Sequence, residues 1–242
     1  MPEEINRVLT DQLAEPLFTT EREAAGNLAR EGIAAERVHF VGNVMIDTLL
    51  KHLPRAPAPQ RILADCGAGA AAGAGDYALL TLHRPSNVDD RAVLQRLLQC
   101  IRDIGEDLPV IFPVHPRTRR MIEEGGLASL LQGGAIVALP PLGYLEMLGL
   151  MAKARLVLTD SGGIQEETTA LGVPCVTLRE NTERPITVSH GTNTLAGSDP
   201  ARIAAAVNEV LTGGGKRGRV PELWDGRAAR RIQQTLSGWL SG

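Results

Sequence analysis

Short apolar runs alternate with longer helical patterns along most of this chain, and this alternation constrains its fold more than any other feature. Residues 77–82 form one such apolar run, and residues 89–104 then carry apolar side chains at helical spacing. Strands joined in this way by helices build parallel βαβ units. The pattern predicts an α/β protein with a Rossmann-type, doubly wound parallel sheet, in which ligands bind at the carboxyl ends of the strands.

The same periodicity predicts the other elements of the chain. Strands are expected at 17–20, 38–41, 77–82, 110–112, 136–139, 155–159 and 174–178. Helices are expected at 21–30, 43–51, 89–104, 144–152, 164–171, 200–211 and 227–240, and from Pro116. Pro54, Pro57 and Pro59 predict an extended linker, and the alanine-glycine run 67–75 predicts a flexible surface insertion.

The chain is predicted to have three parts. Residues 1–56 hold too few elements for an independent domain, so we interpret them as the remnant of an N-terminal Rossmann-like domain. Residues 57–225 are expected to form a complete ligand-binding Rossmann-like domain. Residues 226–242 are expected to be a C-terminal helix that packs back toward the first part.

Composition excludes several classes of protein. The net charge of −3 disfavours binding to nucleic-acid phosphates, and aromatic residues at 3% disfavour base stacking. No run is long and apolar enough for a membrane span, and the N-terminus does not resemble a secretory signal. Cys66, Cys100 and Cys175 are far apart, which disfavours disulfide and zinc frameworks and predicts a cytoplasmic location.

The segment 160–163, Asp-Ser-Gly-Gly, follows an apolar strand and opens a helix. Free amides at a helix start, together with the Ser161 hydroxyl, favour an anion such as a phosphate or diphosphate. Glu166 and Glu167, one turn further on, could accept hydrogen bonds from ribose hydroxyls. The alternative is that Ser161 or Asp160 only caps the helix, with the glycines forming a tight turn.

Polar clusters also follow three other predicted strands. His83 and Arg84 follow the strand at 77–82, where an imidazole can transfer a proton and a guanidinium can bind phosphate. His115 follows the next strand and should lie near His83, while Arg184 should face the same crevice as the helix start. The alternatives are helix caps, a packed histidine and solvated loop charges.

Adjacent carboxylates open the chain at Glu3 and Glu4. A carboxylate near a sugar can act as a general acid or base when its pKa is tuned. The alternative is that both are acidic residues in the first turn of a helix, where they stabilise its dipole.

Several motifs occur together in one order: Pro2-Glu3-Glu4-x-Asn6-Arg7, Val41-Gly42-Asn43-x-x-Ile46-Asp47, His83-Arg84-Pro85-x-Asn87-Val88-Asp89, Asp160-Ser161-Gly162-Gly163-Ile164-Gln165-Glu166-Glu167 and Thr182-Glu183-Arg184-Pro185. In combination they resemble the non-hydrolysing UDP-N-acetylglucosamine 2-epimerases over nearly the whole chain. The resemblance implies a GT-B-like fold of two Rossmann-like domains, of which the C-terminal, UDP-binding one is complete here and the N-terminal one partial.

The resemblance also implies a reaction. UDP-N-acetylglucosamine (UDP-GlcNAc) and UDP-N-acetylmannosamine (UDP-ManNAc) interconvert by elimination of UDP across C1–C2 and its re-addition, in an isomerisation that needs no cofactor or metal. The product would serve cell-envelope polysaccharide synthesis. The implied partner is therefore a small UDP-sugar, with no nucleic acid and no membrane, and the full-length form is expected to be a homodimer.

Individual roles follow from the matched motifs. UDP-sugar binding is implied for Ser161, Gly162, Gly163, Glu166, Glu167, Arg184 and Met147, the last beside the uracil. Catalysis is implied for His83, which would assist the departure of UDP, and for Glu3 as a catalytic carboxylate. Arg84 and His115 are candidates for an allosteric site that holds a second UDP-GlcNAc as activator.

The start of the chain departs from the family pattern. Relatives begin with a strand and a phosphate loop and supply a further Asp and Glu, and none of these precedes Glu3 here. We therefore expect an N-terminally truncated member that is inactive, or nearly so, on its own. The alternatives are a GT-B glycosyltransferase that uses the same UDP crevice and a non-catalytic UDP-binding fragment.

Overall fold

A computed structural model describes residues 2–69 and 76–241. Most of the predicted insertion 67–75 lies outside the described residues. The chain divides into two compact units, Met1–Lys51 with Pro221–Gly242, and His52–Val220. The predicted α/β class is confirmed, since both units contain parallel strands connected by helices.

The described elements are numbered in chain order. The strands are β1 (Leu17–Thr19), β2 (Val38–Phe40), β3 (Ala78–Thr81), β4 (Val110–Pro113), β5 (Ile136–Leu139), β6 (Leu156–Thr159), β7 (Cys175–Thr177) and β8 (Asn193–Leu195). The helices are α1 (Pro2–Leu13), α2 (Glu23–Arg30), α3 (Val44–His52), α4 (Pro59–Asp65), α5 (Pro85–Val88), α6 (Arg91–Gly105), α7 (Pro116–Glu124), α8 (Tyr144–Met151), α9 (Gly162–Leu171), α10 (Pro185–Ser189), α11 (Pro200–Leu211) and α12 (Ala228–Leu240).

The first unit joins the two ends of the chain. Strands β1 and β2 pair in parallel, with Leu17 opposite Val38. The Asp47 carboxylate of α3 accepts hydrogen bonds from the first amides of α12, at 3.0 Å from Ala228 N and 2.8 Å from Ala229 N. These amides have no partner within their own helix, so Asp47 caps α12 and anchors it to this unit.

Gly42 shows why this unit needs a glycine after β2. Its φ is +88°, and a Cβ at this position would lie 2.1 Å from the carbonyl oxygen of Leu223. Any side chain there would clash with backbone. The close approach places Trp224 in a buried position, where its indole Nε1 donates to Thr20 O at 3.1 Å.

The second unit is built on a six-stranded parallel sheet in the order β5-β4-β3-β6-β7-β8. The chain runs outward from β3 to β5, then returns to β6 beside β3 and runs outward to β8. Such a reversal in strand order is a topological switch point, and a crevice forms there at the carboxyl ends of the strands. The pair β3 and β6, with Ala78 opposite Leu156, therefore marks the expected site.

Burial explains why these segments form strands and helices. Every residue of β4 and β6 is buried, as expected for strands covered by helices on both faces. Helix α6 buries Leu94, Leu97 and Ile101 on one face, which is the face that the sequence predicts. The Asp90 carboxylate caps this helix by accepting from two first-turn amides.

The structure differs from the sequence prediction at several elements, including the linker, α9 and β8. The predicted linker instead contains a 3₁₀ turn at Leu53–Arg55 and helix α4, because Pro59 occupies the first helical position, where its fixed φ suits a helix. Helix α9 begins at Gly162, two residues earlier than predicted. Strand β8 was not predicted, because Asn193–Leu195 lacks a continuous apolar run.

Two further observations concern residues 2–69 and 76–241 only. None of their helices combines the length and apolar character that a membrane span requires. No cluster of three or more His, Cys, Asp or Glu side chains is placed to hold a metal ion among them.

Candidate functional site

The predicted polar clusters lie at one edge of the second unit's sheet. His83 and Arg84 follow β3, His115 follows β4, Ser161 follows β6 and Arg184 follows β7. All these strands are parallel neighbours, so their carboxyl ends share one edge. The rings of His83 and His115 are 5.7 Å apart between centroids, which confirms that the two histidines are neighbours.

Asp160 connects the two central strands at this edge. Its side chain is fully buried and accepts from the backbone amides of His83 at 3.0 Å and Arg84 at 2.9 Å. It also accepts from Asn87 Nδ2 at 3.2 Å and lies 2.9 Å from His83 Nδ1. The end of β6 therefore holds the loop after β3 in place and orients the His83 ring.

The start of α9 is not capped by its own side chains. Ser161 is the N-cap residue, yet its hydroxyl makes no capping hydrogen bond. The Asp160 carboxylate faces the loop after β3 instead. Neither side chain therefore caps α9, and Ser161, Gly162 and Gly163 are all half-buried at the helix start.

The Glu183 carboxylate and its arginine partner lie beside this helix start. Arg179 Nη2 lies 2.7 Å from Glu183 Oε1, and a Cβ built on Gly162 would lie 3.8 Å from the other oxygen of the same carboxylate. The hydrogen bond from Arg179 lowers the pKa of Glu183 to about 2, with a smaller contribution from the Arg84 charge. Arg84 Nε is buried and, among the described residues, makes no hydrogen bond. The helix dipole favours an anion at this position, and Arg179 and Arg84 offset the charge of the neighbouring Glu183 carboxylate.

Helix α9 directs two buried carboxylates toward the same region. Glu166 Oε1 lies 3.1 Å from Arg184 Nε, so this ion pair fixes the arginine that follows β7. Glu167 Oε1 accepts from the Tyr144 hydroxyl at 3.1 Å. Burial raises the pKa of Glu167 and the Glu166 charge raises it further, while the Tyr144 hydrogen bond opposes both.

A buried polar network joins α9 to the loop that carries Arg184. Gln165 Oε1 accepts from Thr182 Oγ1 at 2.6 Å and from Asn193 Nδ2 at 3.0 Å. Thr182 Oγ1 in turn accepts from the Arg184 amide at 2.9 Å. Gln165 and Asn193 are fully buried, so every satisfied bond contributes to holding the loop in one conformation.

Two aromatic residues accompany Met147 on the side of Glu167. Met147 lies half-buried on α8, one turn after Tyr144. His52 meets the Tyr144 ring edge-on, with centroids 6.0 Å apart. Burial and the neighbouring Glu167 charge raise the pKa of the Tyr144 hydroxyl, so Tyr144 remains a hydrogen-bond donor.

Glu3 is the predicted site residue that the structure does not place. Its backbone belongs to α1 in the first unit, and its side chain lies outside the described residues. The catalytic role of Glu3 stays a prediction.

Sequence reasoning overlooked three residues of this edge. Asp160 was considered only as a helix cap, whereas Gln165 and Tyr144 were assigned no role. Asp160 had a detectable signal, since it is a charged residue directly after an apolar strand. Gln165 and Tyr144 had none, because their importance depends on partners distant in the chain.

The parallel sheet, its switch point and the polar edge define a Rossmann-type α/β protein of the GT-B-like class. A family model described as UDP-N-acetylglucosamine 2-epimerase matches residues 1–237. The chain belongs to this family.

Individual relatives agree with that assignment. A UDP-N-acetylglucosamine 2-epimerase from Methanococcus maripaludis is 44% identical over 215 residues, which are 87% of this chain and 58% of the relative. One from Methanocaldococcus jannaschii is 41% identical over 240 residues, 98% of this chain and 64% of the relative. This chain therefore spans about three fifths of the length of both.

A solved structure shares the fold. The crystal structure of Methanocaldococcus jannaschii UDP-GlcNAc 2-epimerase, in complex with UDP-GlcNAc and UDP, matches with a TM-score of 0.85 at 41% identity. The match covers 98% of this chain and 65% of that one.

Proposed function

We propose that this protein binds a UDP-sugar at the polar edge of the second unit's sheet and acts in the interconversion of UDP-GlcNAc and UDP-ManNAc. The observation that carries the proposal is the meeting of His83, the uncapped start of α9 and the paired Arg184 at this edge. Membership of the epimerase family supports it, as does the solved relative that contains UDP-GlcNAc and UDP.

The diphosphate would bind at the start of α9. The amides of Gly162 and Gly163 supply donors, while that of Ser161 already donates to Thr159 Oγ1 at 3.0 Å. The helix dipole adds partial positive charge. The ion pair with Glu166 holds Arg184, which would lie beside this anion. The charge of Arg84 lowers the pKa of Glu183, so Arg84 can supply a further cationic group near the start of α9.

The nucleoside would bind beyond the diphosphate. Glu167 and Glu166 lie on α9, where their carboxylates can accept hydrogen bonds from the ribose hydroxyls. Met147 is the predicted neighbour of the uracil, and Tyr144, one turn earlier on α8, is 42% exposed. A pyrimidine stacked against these groups would bury apolar area with little loss of conformational entropy.

The chemistry proposed for this site is an elimination followed by an addition. A base removes the C2 proton, the C1–C2 double bond forms, and the C1–oxygen bond breaks with its electron pair going to UDP. In its doubly protonated form, His83 would donate a proton from Nε2 to the departing oxygen. Re-addition of UDP, with protonation of C2 on the opposite face, gives the epimer, and Glu3 is the predicted carboxylate for proton transfer at C2.

Isotope exchange tests this proposal directly. The purified chain is incubated with UDP-GlcNAc in D₂O for many hours, so that slow turnover is also detected. We expect deuterium at C2 in both UDP-GlcNAc and UDP-ManNAc, and incorporation slower by about 10²-fold or more with His83→Gln.

Other outcomes would identify a different function. UDP release that depends on an added sugar acceptor would indicate a glycosyltransferase. UDP binding without C2 exchange would indicate that the chain binds UDP but does not catalyse epimerisation. A homodimer, a cytoplasmic location and an activator site at Arg84 and His115 stay predictions.

A further inference from the structure

Asp160 has contacts that its position in the sequence does not explain. Its carboxylate is fully buried, and its hydrogen bonds within the described residues come from N–H donors of the loop after β3 and of α5. We propose that Asp160 is a positioning residue that keeps the His83 proton on Nδ1 and leaves Nε2 available to the substrate. The use of Nε2 in the reaction rests on the proposed function, whereas the position of the proton on the His83 ring does not.

The assignment of the proton follows from the acceptors. Asp160 Oδ2 accepts from the amide of Arg84 at 2.9 Å, from Asn87 Nδ2 at 3.2 Å and from the His83 amide at 3.0 Å. Asp160 Oδ1 faces His83 Nδ1 at 2.9 Å. A carboxylate that accepts several N–H hydrogen bonds has no proton of its own to donate. His83 Nδ1 must therefore donate its proton to Asp160 Oδ1.

His115 provides a contrast within the same cluster. Its Nδ1 accepts from the Arg117 amide at 3.2 Å, which places the His115 proton on Nε2. The His83 and His115 rings are only 5.7 Å apart, yet their partners select opposite tautomers. The tautomer of each ring is therefore set by its hydrogen-bond partner and not by a shared environment.

The strand ends hold this arrangement rigidly. Thr81 Oγ1 and Thr159 Oγ1 are 2.6 Å apart across the β3–β6 pair, two residues before His83 and one before Asp160. Thr118, buried on α7, donates to Leu82 O. The His83 side chain is nevertheless 37% exposed, so its outer ring edge is open while its inner edge is fixed.

Nuclear magnetic resonance of the intact, ¹⁵N-labelled chain tests the assignment. Long-range ¹H–¹⁵N correlations of the imidazole rings distinguish the two neutral tautomers, and His83→Gln identifies the signals of His83. We expect the Nδ1–H tautomer for His83 and the Nε2–H tautomer for His115. In Asp160→Asn the introduced amide can donate to Nδ1, so His83 should change to the Nε2–H tautomer.

A matched variant separates positioning of the ring from support of the loop. Asn87→Ala removes another donor to Asp160 without touching the imidazole, and it should leave the His83 tautomer unchanged. An Nε2–H tautomer in the wild type would overturn the proposal, whether or not Asp160→Asn folds. An unchanged His83 tautomer in folded Asp160→Asn would also overturn it.

The rate of deuterium exchange at C2 tests whether Asp160 and His83 act together in the reaction. Loss of general acid–base catalysis typically costs roughly 10²–10⁴-fold, so Asp160→Asn and His83→Gln should each lower the rate by about 10²-fold or more. Because the two residues act as one unit, the double variant should be no slower than the slower single variant. Additive losses would indicate a structural role and overturn the proposal. Absence of exchange in the wild type, with the tautomers as expected, would instead count against the proposed function.

Discussion

Glu167 carries a buried charge whose effects on stability and on binding have opposite signs. Burial raises its pKa in the folded protein above the ordinary value of 4.5. The folded state then holds the proton more tightly than the unfolded state, so the free energy of unfolding falls as pH rises through the raised pKa. Glu167→Gln removes this penalty and should raise the melting temperature at pH 7 relative to wild type, but not at pH 4.

The same substitution should weaken UDP binding. A hydrogen bond to a charged group is worth about 1.5–3 kcal/mol, which corresponds to roughly a 10- to 150-fold increase in Kd measured by calorimetry. Tyr144→Phe serves as the control, since it keeps the carboxylate and removes only the hydroxyl that donates to it. Equal UDP affinity in wild type and Glu167→Gln would remove Glu167 from the binding site.

Glu183 should contribute to stability in the opposite pH direction. The hydrogen bond from Arg179 lowers its pKa to about 2, below the ordinary value of 4.5. This contribution is fully present above pH 4.5 and is lost as pH falls toward 2. Urea unfolding should therefore find Glu183→Gln less stable than wild type at pH 6, with a difference that shrinks to nothing near pH 2.

A second variant controls for the loss of one negative charge. Glu123→Gln changes an exposed residue of α7. A pH-dependent difference of the same size in Glu123→Gln would show that net charge, and not the Arg179 contact, is responsible.

Helix α9 depends on Gln165 for its connection to the loop after β7. Gln165→Leu would leave Thr182 Oγ1 and Asn193 Nδ2 without their shared acceptor. Each buried group left without its hydrogen bond costs about 1–3 kcal/mol, so we expect at least that loss in the free energy of unfolding from urea titrations. Gln95→Leu, on the exposed face of α6, should change stability by less than about 0.5 kcal/mol. Similar losses in both variants would contradict a specific role for the network.

Elements with continuous apolar runs could be predicted, and elements formed by polar contacts could not. The prediction for β5 agrees with the observed Ile136–Leu139, because four consecutive apolar residues leave few alternatives. Strand β8 begins with Asn193, whose side chain is buried only because Thr177 and Gln165 supply its hydrogen bonds. A single sequence does not reveal such long-range partners.

Ligand binding should affect the two units of the molecule differently. UDP at about 100 times its Kd would stabilise the folded state by about 2.7 kcal/mol. Hydrogen–deuterium exchange with and without UDP should show slower exchange at the start of α9, in the loop around Arg184 and on α8. The β1–β2 pair should exchange at the same rate in both samples. Slower exchange confined to the first unit would contradict the proposed site.

The sequence by itself determined the α/β class, the family resemblance and the residue types that follow each strand. These properties depend on local apolar periodicity and on motifs that are contiguous in the chain. Only the tertiary structure decided which of these groups act together. Asp160 and the His83 amide are 77 positions apart in the chain, and Arg184 meets Glu166 across two different strand ends. Such pairs form only when the parallel sheet brings its carboxyl ends to one edge.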